Sequence, residues 1–542
     1  MKYILRSLIF IHRWVGLVLC LVFLLWFPSG IGMMYWGFPS VSAADRLTHS
    51  PKLDPAKIVL SPAEAAAKLG TTASPAQIRL NSFDGRPVYR IGGGGGRGGS
   101  GGRGGGGRII YADTGEEQTS VSTEMLDRIA ASWSGRPLAE AKKSSIEEPD
   151  QWTVAGQLKD LRPMYKYSWP DSQQLYLNGT TGEVVQYTTF WTRVAAHISA
   201  IPHWLYYTPL RKYQPQWLNF MIYASLIGTI GTIVGIAVAL WMYSPRQKYR
   251  LDRNPTGIPY RGQKRLHWIF GMVFGLATVT WTFSGLMSLG PFPLVQRLTG
   301  QSPRSERQQQ QAATESQANR AGRGGGRGNG QQGIAGALRG RVQMADFEPV
   351  HPKNLLARVA SLDVRELEWA SFDSNPIFSA HLGDSKSVFL TLDGTPIDSF
   401  DQQRVIDIIK STLPDAKSAE IRAVDQYDLY YFDRTRQKPL PVLLVLTNDA
   451  DQTRYYVDPK SAQVLTTYSS RNWVNRWLYT GLHSLNFPFL YNYRPLWDIV
   501  VITFMTGGTA LCVTSLVLSW RLLGRKLKHI KSAGDVLTAE PV

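Results

Sequence analysis

The chain has 542 residues, a formal net charge of +18 and only two cysteines. Its length allows several domains and its charge could indicate a nucleic-acid partner, so the placement of charged and apolar residues decides between these classes. Because both cysteines, Cys20 and Cys512, lie in apolar stretches, we expect neither a disulfide framework nor a cysteine-bound metal.

Four apolar stretches predict membrane-spanning helices. A helix needs about 20 apolar residues to cross a hydrocarbon core of about 30 Å, and residues 14–36, 217–243, 267–289 and 496–520 reach this length almost without charge. Lysine and arginine cluster before the first stretch, between the second and third, and after the fourth. By the positive-inside rule these segments are cytoplasmic. The sequence therefore predicts a four-span membrane protein with both termini in the cytoplasm and no nucleic-acid partner.

The order of apolar and polar segments predicts eight regions. A cleaved signal peptide ending near residues 41–43 is the alternative for the first region, but the apolar run is too long and its opening residues recur before the third span. In chain order we predict a transmembrane helix (1–37), an external α+β domain (38–189), an interfacial helix with transmembrane helix 2 (190–243), a basic cytoplasmic loop (244–264), transmembrane helix 3 (265–289), a second external α+β domain (290–470), an interfacial helix with transmembrane helix 4 (471–520) and a cytoplasmic tail (521–542).

The second half of the chain repeats the first. His12-Arg13-Trp14-Val15-Gly16 opens the first span, and His267-Trp268-Ile269-Phe270-Gly271 opens the third. Residues 174–185 and 454–465 both have the pattern of a strand, a tight turn and a strand. Because the two halves run in the same direction, they imply a pseudo-two-fold axis along the membrane normal.

The segments ahead of the second and fourth spans also match. The spacing from His197 to Pro202 equals that from His483 to Pro488. In this alignment His203 has no histidine partner, because Phe489 occupies the equivalent position. We therefore predict that His197 and His483 are equivalent.

Each predicted external domain contains a glycine-rich insert, at residues 92–107 and 308–336. Arg-Gly-Gly patterns can bind RNA. Both inserts lie on the non-cytoplasmic side of the predicted topology, where such composition is typical of flexible, solvated loops.

Four of the nine histidines occupy the repeat-equivalent positions: His12 with His267, and His197 with His483. Ionisable side chains near the hydrocarbon layer are costly and usually functional, and neutral imidazole is a common metal ligand. Residues related by the two-fold axis face each other at one depth, as the two axial ligands of a six-coordinate haem iron must. The sequence thus predicts two haems; for any single histidine the alternative is an interfacial anchor.

Small and basic residues near these histidines fit the same hypothesis. Gly16 and Gly271 follow their histidines by one helical turn and would let a flat macrocycle approach, although glycines also serve close helix packing. Anionic haem propionates favour basic neighbours; the alternative role of such arginines is that of interfacial lipid anchors. The candidate arginines are Arg193, Arg476, Arg211 and Arg494.

The histidine and glycine motifs quoted above resemble the PepSY-associated transmembrane family, and within it the inner-membrane iron-siderophore reductases of the ferrioxamine type. The similarity covers nearly the whole chain. It implies PepSY-like periplasmic domains, haem b, a bacterial inner membrane, and electron flow outward to ferric iron held by a periplasmic siderophore or another chelate. Such a reductase would serve iron homeostasis.

The partners implied by this resemblance lie on both sides of the membrane. The cytoplasmic segments are too short to bind a nicotinamide or flavin nucleotide, so the electron donor is a membrane quinol or a separate cytoplasmic reductase. A chelate would dock beside the outer haem. The candidate lining residues are His203, Trp204, Tyr206, Tyr207, Tyr430 and Tyr431.

Two other function classes remain open. The external domains could belong to a sensor, scaffold or protease inhibitor in which the spans are only anchors. A transporter of the chelate is less favoured, because the spans lack the interrupted helices and buried charges of a substrate path.

Overall fold

The computed structural model describes residues 2–92, 108–251, 254–290, 329–413, 420–433, 436–470 and 475–537. Its helices, in chain order, are α1 (Lys2–Met33), α2 (Ala43–His49), α3 (Pro62–Lys68), α4 (Thr123–Ser134), α5 (Phe190–Ile198), α6 (Ala200–Trp204), α7 (Thr208–Arg211), α8 (Gln214–Met242), α9 (Gly262–Ser288), α10 (Asn329–Arg339), α11 (Pro352–Arg358), α12 (Gln402–Thr412), α13 (Leu482–Ser484), α14 (Pro488–Tyr491) and α15 (Leu496–Leu537). A π-helical segment, Asn475–Gly481, precedes α13.

The strands of the described chain form four antiparallel sheets. In chain order they are β1 (Ile78–Phe83), β2 (Arg86–Ile91), β3 (Arg108–Tyr111), β4 (Lys142–Ile146), β5 (Met164–Ser168), β6 (Gln174–Asn178), β7 (Val184–Thr188), β8 (Tyr249–Leu251), β9 (Asn254–Thr256), β10 (Val364–Phe372), β11 (Asn375–Leu382), β12 (Ser387–Leu390), β13 (Pro396–Ile397), β14 (Glu420–Val424), β15 (Val442–Leu446), β16 (Arg454–Asp458) and β17 (Gln463–Tyr468). Short 3₁₀ turns link several of them.

The chain divides into two compact units. The first, here called the helical unit, comprises Met1–Phe38, Val194–Pro303 and Trp473–Val542. The second, here called the sheet unit, comprises Pro39–Arg193 and Arg304–Asn472. Each unit therefore contains a segment from both halves of the sequence repeat.

Four helices of the helical unit are long and apolar enough to cross a membrane: α1, α8, α9 and α15. Helix α1 packs against α8 and α15, and α9 packs against the same two helices. The first helices of the two halves, α1 and α9, are therefore diagonal in a four-helix arrangement. Glycines permit close contact: a side chain at Gly228 or at Gly508 would meet the rings of Phe23 and Phe27, respectively.

The sheet unit is built around a seven-stranded antiparallel sheet with strand order β13-β12-β11-β10-β1-β2-β3. Strands β1 and β10 pair at its centre, with Leu80 opposite Leu367. Both leucines are fully buried in an apolar core. The sequence predicted two separate domains, but the strands of residues 38–189 and 290–470 join in this one sheet because their inner edges pair and share that core.

Each half also contributes a four-stranded sheet to the sheet unit, β4 to β7 and β14 to β17. The predicted strand-turn-strand segments are confirmed as β6–β7 and β16–β17. Their pairing shifts register at Tyr176/Leu177 and at Tyr456/Val457, which are 280 residues apart in each case. The repeat therefore preserves even a local irregularity of the backbone.

Two predicted boundaries differ from the structure, and two predicted segments cannot be compared with it. Most of the first glycine-rich insert (residues 93–107) and residues 291–328 lie outside the described residues. The end of the second insert is helix α10 rather than a solvated loop, because Ile334 and Leu338, one turn apart, are buried in an apolar cluster. Helix α15 continues to Leu537, beyond the predicted span.

Candidate functional site

The imidazole rings of His12 and His267 face each other in the helical unit. His12 lies on α1 and His267 on α9, and their ring centroids are 6.1 Å apart. The predicted pairing of these two histidines is therefore present in the structure. We refer to them as the first histidine pair.

Each ring of the first pair is oriented by the neighbouring helix of its own half. His12 Nδ1 is 3.0 Å from the carbonyl oxygen of Gly231 on α8, and because a carbonyl only accepts, Nδ1 carries the proton. His267 Nδ1 is 3.1 Å from Thr514 Oγ1 on α15. Thr514 donates its own proton to Leu511 O, so it accepts from His267. In both rings Nε2 is left with a lone pair.

A second histidine pair lies in the short helices α6 and α13. The ring centroids of His203 and His483 are 6.1 Å apart, the same separation as in the first pair. The two rings also pack alike, since Cε1 of each approaches the equivalent glycine of its half, Gly30 for His203 and Gly285 for His483.

The second pair is oriented by the same kind of hydrogen bond. His203 Nδ1 is 3.2 Å from the carbonyl oxygen of Trp26, so Nδ1 is again the donor. His483 Nδ1 is 3.0 Å from Ser284 Oγ, which donates its proton to Trp281 O and so accepts from the ring. Burial lowers the pKa of His203 to about 4, because it disfavours the imidazolium. His203 is therefore the neutral form that can ligate a metal.

The predicted equivalence of His197 and His483 is wrong. His203 is the equivalent residue, 280 positions before His483. Two further features keep this offset: Leu205 and Leu485 both adopt the left-handed conformation, and the indoles of Trp217 and Trp497 both donate to the carbonyl of the residue that follows the histidine. His197 lies exposed on α5, before this motif.

The misleading signal was the spacing from histidine to proline. The two prolines of that alignment are not equivalent: Pro202 lies inside α6, immediately before His203, whereas Pro488 lies after His483 and is the first residue of α14. A better signal was already in the sequence, because 14 residues separate His203 from Trp217 and 14 separate His483 from Trp497. This spacing is set by a contact, because each indole donates to the carbonyl of the residue after the histidine.

The separation within both pairs fits a shared metal ion. With metal–nitrogen bonds of about 2 Å and ring centres about 1.1 Å beyond each nitrogen, two axial imidazoles have centres about 6.2 Å apart. Both observed separations are 6.1 Å. Metal-ligating histidines almost always donate their other ring N–H to a fixed acceptor, as all four do here. By donor type and separation, the two histidines of each pair therefore fit as residues that would together hold one haem iron.

Arg211 is a buried cation in the helical unit. It is 4% exposed, and its guanidinium lies 4.2 Å from the ring centroid of Trp217 and 4.8 Å from that of Tyr206. Within the described part of the chain, its Nε and Nη1 atoms have no hydrogen-bond partner and no carboxylate is within ion-pair distance. Buried charges are usually paired, so this guanidinium would favour an anion, and a haem propionate has that chemistry.

The other three candidate arginines have protein partners. Arg494 forms a two-bond ion pair with Asp498. Arg476, 1% exposed, donates to the carbonyl of Asn486. Arg193 belongs to the sheet unit and donates to the Ser172 carbonyl. Of the four, Arg211 is the best placed to accept an added anion.

The two glycines predicted to admit a macrocycle lie in open positions. A side chain at Gly16 would first meet Ser515 Oγ at 3.7 Å, and one at Gly271 would first meet Leu511 at 3.9 Å. Both distances are ordinary van der Waals contacts. The glycines are therefore not required by the packing of the described residues around them.

The predicted chelate-lining residues separate into two groups. Tyr430 and Tyr431 are buried in the sheet unit, and Tyr431 is stacked on Tyr456, so neither is available to line an open surface. That part of the prediction is wrong because the two aromatic side chains fill a core. In the helical unit Tyr206 is also buried, whereas Tyr207 is 40% exposed. Trp204 lies between these extremes.

Comparison with known proteins identifies the family. No curated protein matches the chain. The family described as the PepSY-associated TM region matches residues 10–388, which include the first histidine pair and His203. Together with the four candidate spans, this match makes the chain a multi-pass membrane protein. The chain belongs to the family of the PepSY-associated TM region.

Proposed function

We propose that the chain is a haem-b oxidoreductase of the bacterial inner membrane that reduces ferric iron held by a periplasmic chelate, such as a siderophore. The observation that carries the proposal is the presence of two histidine pairs with identical ring separations of 6.1 Å. Each pair takes one ligand from each half of the repeat. A haem bound at each pair would supply one-electron transfer.

The hydrogen bonds of the four histidines prepare them for this role. A fixed Nδ1–H directs the Nε2 lone pair and makes the imidazole a stronger donor, which favours the oxidised iron. His12 bonds directly to a helix carbonyl, whereas His267 and His483 bond to hydroxyls of Thr514 and Ser284. Carbonyl and hydroxyl acceptors differ in strength, so this chain can set the four ligands to different basicities.

Aromatic rings lie along the bundle between the levels of the two pairs. The indole of Trp281 donates to the carbonyl of His483 at 2.9 Å. The ring centroids of Trp281 and Phe504 are 6.3 Å apart, and those of Phe504 and Phe274 are 6.2 Å apart. Phe270 continues the series, because its ring contacts that of Phe274. It lies one helical turn from His267. This line of rings joins the surroundings of both pairs.

The direction of electron flow follows from the positive-inside rule. The N-terminus of α1, the α8–α9 connection and the end of α15 are rich in basic residues, so the first pair lies toward the cytoplasm. The second pair then lies toward the periplasm. A membrane quinol or a cytoplasmic reductase would supply electrons to the first pair.

The reaction needs one electron per iron. Hard ferric iron prefers the oxygen donors of a chelate and ferrous iron binds them less well, so reduction loosens the complex. Trp204 and the exposed Tyr207 follow His203 in the chain and are the proposed contacts for the chelate. His203 and Tyr206 lie beneath them as ligand and support.

Proteoliposomes test this function. With a reductant and a quinol inside and a ferric chelate outside, we expect the wild-type protein to produce ferrous iron, detected by a ferrous-specific chromophore. His203→Ala and His12→Ala should each abolish it, whereas His197→Ala should not. Equal rates in all four proteins and in empty vesicles would contradict the proposal, and would favour the sensor or scaffold function.

A further inference from the structure

A polar patch interrupts one face of the seven-stranded sheet. Side chains alternate along β10 and β11, so Leu367 and Phe378 enter the apolar core while Glu366, Glu368 and His381 lie on the other face. Glu366 is directly opposite His381 in the strand pairing. Two adjacent strands therefore hold three potential metal ligands on one rigid surface.

The three side chains converge. One ligand atom from each of Glu366, Glu368 and His381 lies within 4.8 Å of the other two. His381 Nε2 and Glu368 Oε2 are 3.2 Å apart. Neighbouring ligands of a tetrahedral or octahedral ion with bonds of about 2.1 Å are about 3.0–3.4 Å apart, so these two atoms already have the spacing of a metal site.

Surrounding residues orient the three ligands. His381 is 1% exposed, and its Nδ1 is 2.7 Å from Ser387 Oγ on β12, which leaves Nε2 toward the glutamates. Asn81 donates to Glu366 Oε2 at 3.1 Å. Hydrogen bonds of this kind to the ligand side chains are typical of the surroundings of protein metal sites.

The charge of the patch suits a cation. Arg79 Nε is 3.7 Å from Glu368 Oε1, the oxygen opposite the one that faces His381. Arg79 therefore offsets the negative charge of one of the two carboxylates. A bound cation would offset the charge of the other. Glu366 and Glu368 are only partly buried, so an ion can reach them from solvent.

We propose that Glu366, Glu368 and His381 bind a divalent transition-metal ion of the zinc, manganese or ferrous class. One imidazole and two carboxylates are a mixed nitrogen–oxygen set, which suits these ions better than Ca²⁺ or Cu⁺. Three protein ligands leave positions for water or a further ligand. The site lies within the sheet unit and does not depend on the proposed haem function. The ferrous ion that the proposed reductase reaction would release belongs to the same class of ions.

Zinc binding to the detergent-solubilised full chain tests the site, with affinity tags removed and metals stripped by a chelator. Equilibrium dialysis against Zn²⁺ should show one zinc per chain that His381→Ala eliminates and Glu366→Gln weakens at least about ten-fold. His49→Ala is the matched control, because His49 belongs to the same unit and stacks on Trp133. It should bind zinc as the wild type does.

Thermal unfolding separates a lost ligand from a lost fold. Zinc should raise the unfolding temperature of the wild type and of His49→Ala but not that of His381→Ala. If His381→Ala does not fold, the test rests on Glu366→Gln, because this substitution keeps the size of the side chain. Unchanged zinc binding in Glu366→Gln and His381→Ala, or no stoichiometric zinc in the wild type, would overturn the proposal. The site should persist in His12→Ala and His203→Ala, so its failure is distinct from that of the haem proposal.

Discussion

The rings of His203 and His483 are 6.1 Å apart, and the two residues are equivalent positions of the internal repeat. Neither lies within a candidate membrane span; both occur in short helices just before α8 and α15. Each ring is held by the helix that opens its own half, α1 for His203 and α9 for His483. The pair thus links four segments of the helical unit.

His203→Ala should reduce the haem content from two to one per chain, because an iron at the second pair would lose an axial ligand. His197→Ala should keep both haems, since His197 is exposed on α5. Haem per chain is measured by the pyridine haemochrome spectrum. The reverse pattern, with haem lost from His197→Ala and kept in His203→Ala, would restore the alignment based on proline spacing.

Ser284→Ala should weaken haem binding at the second pair about ten-fold, because it removes an acceptor that orients His483. Ser29→Ala is the matched variant in the other half. Its effect should be smaller, since His203 Nδ1 is equally close to the Trp26 carbonyl, 3.2 Å in both cases. The rate of haem transfer to apomyoglobin measures haem dissociation from both variants. Equal effects would show that Trp26 does not act as the second acceptor.

Arg211→Met should lower the midpoint potential of one haem by an amount on the order of tens of millivolts. A nearby positive charge favours the added electron, and Arg211 has no carboxylate to neutralise it in the described chain. Arg211→Lys keeps the positive charge and should change the midpoint potential much less than Arg211→Met does. Arg494→Met, which breaks an ion pair with Asp498 instead, should leave it unchanged. A redox titration monitored by optical absorption measures these potentials. An unaltered midpoint potential in Arg211→Met would show that Arg211 does not lie close to a haem.

Gly235→Ala should remove the haem of the first pair. A Cβ atom at Gly235 would overlap the ring of His12, and the ring would have to leave its position opposite His267. Gly524→Ala is the control, because a Cβ there meets no other atom. Haem content and circular dichroism should show a folded Gly235→Ala chain with one haem. Two haems in that variant would mean that His12 is not held against α8.

The sequence allowed the four spans and the first histidine pair to be predicted because both depend on local patterns. An apolar run of sufficient length has few alternatives to a membrane helix, and His12 and His267 stand at the same distance from their glycines in two aligned spans. The repeat was equally visible in the hairpins β6–β7 and β16–β17.

What could not be predicted depends on contacts between distant segments. The pairing of Leu80 with Leu367, which merges the two predicted domains into one sheet, leaves no trace in either strand alone. The buried state of Tyr430 and Tyr431 follows from their packing in the sheet unit, whereas their sequence resembles an aromatic interfacial belt. The second histidine pair was missed for a different reason, because Pro202 stands as far from His197 as Pro488 stands from His483 although the two prolines are not equivalent.

The most direct test of the central claim is the visible spectrum of the purified full-length membrane protein, with haem counted per chain. We predict a red protein with two b-type haems, whose absorption bands sharpen and shift on addition of dithionite as expected for paired histidine ligands. A correctly folded, colourless protein that takes up no haem when haem is supplied would contradict haem binding by the two histidine pairs.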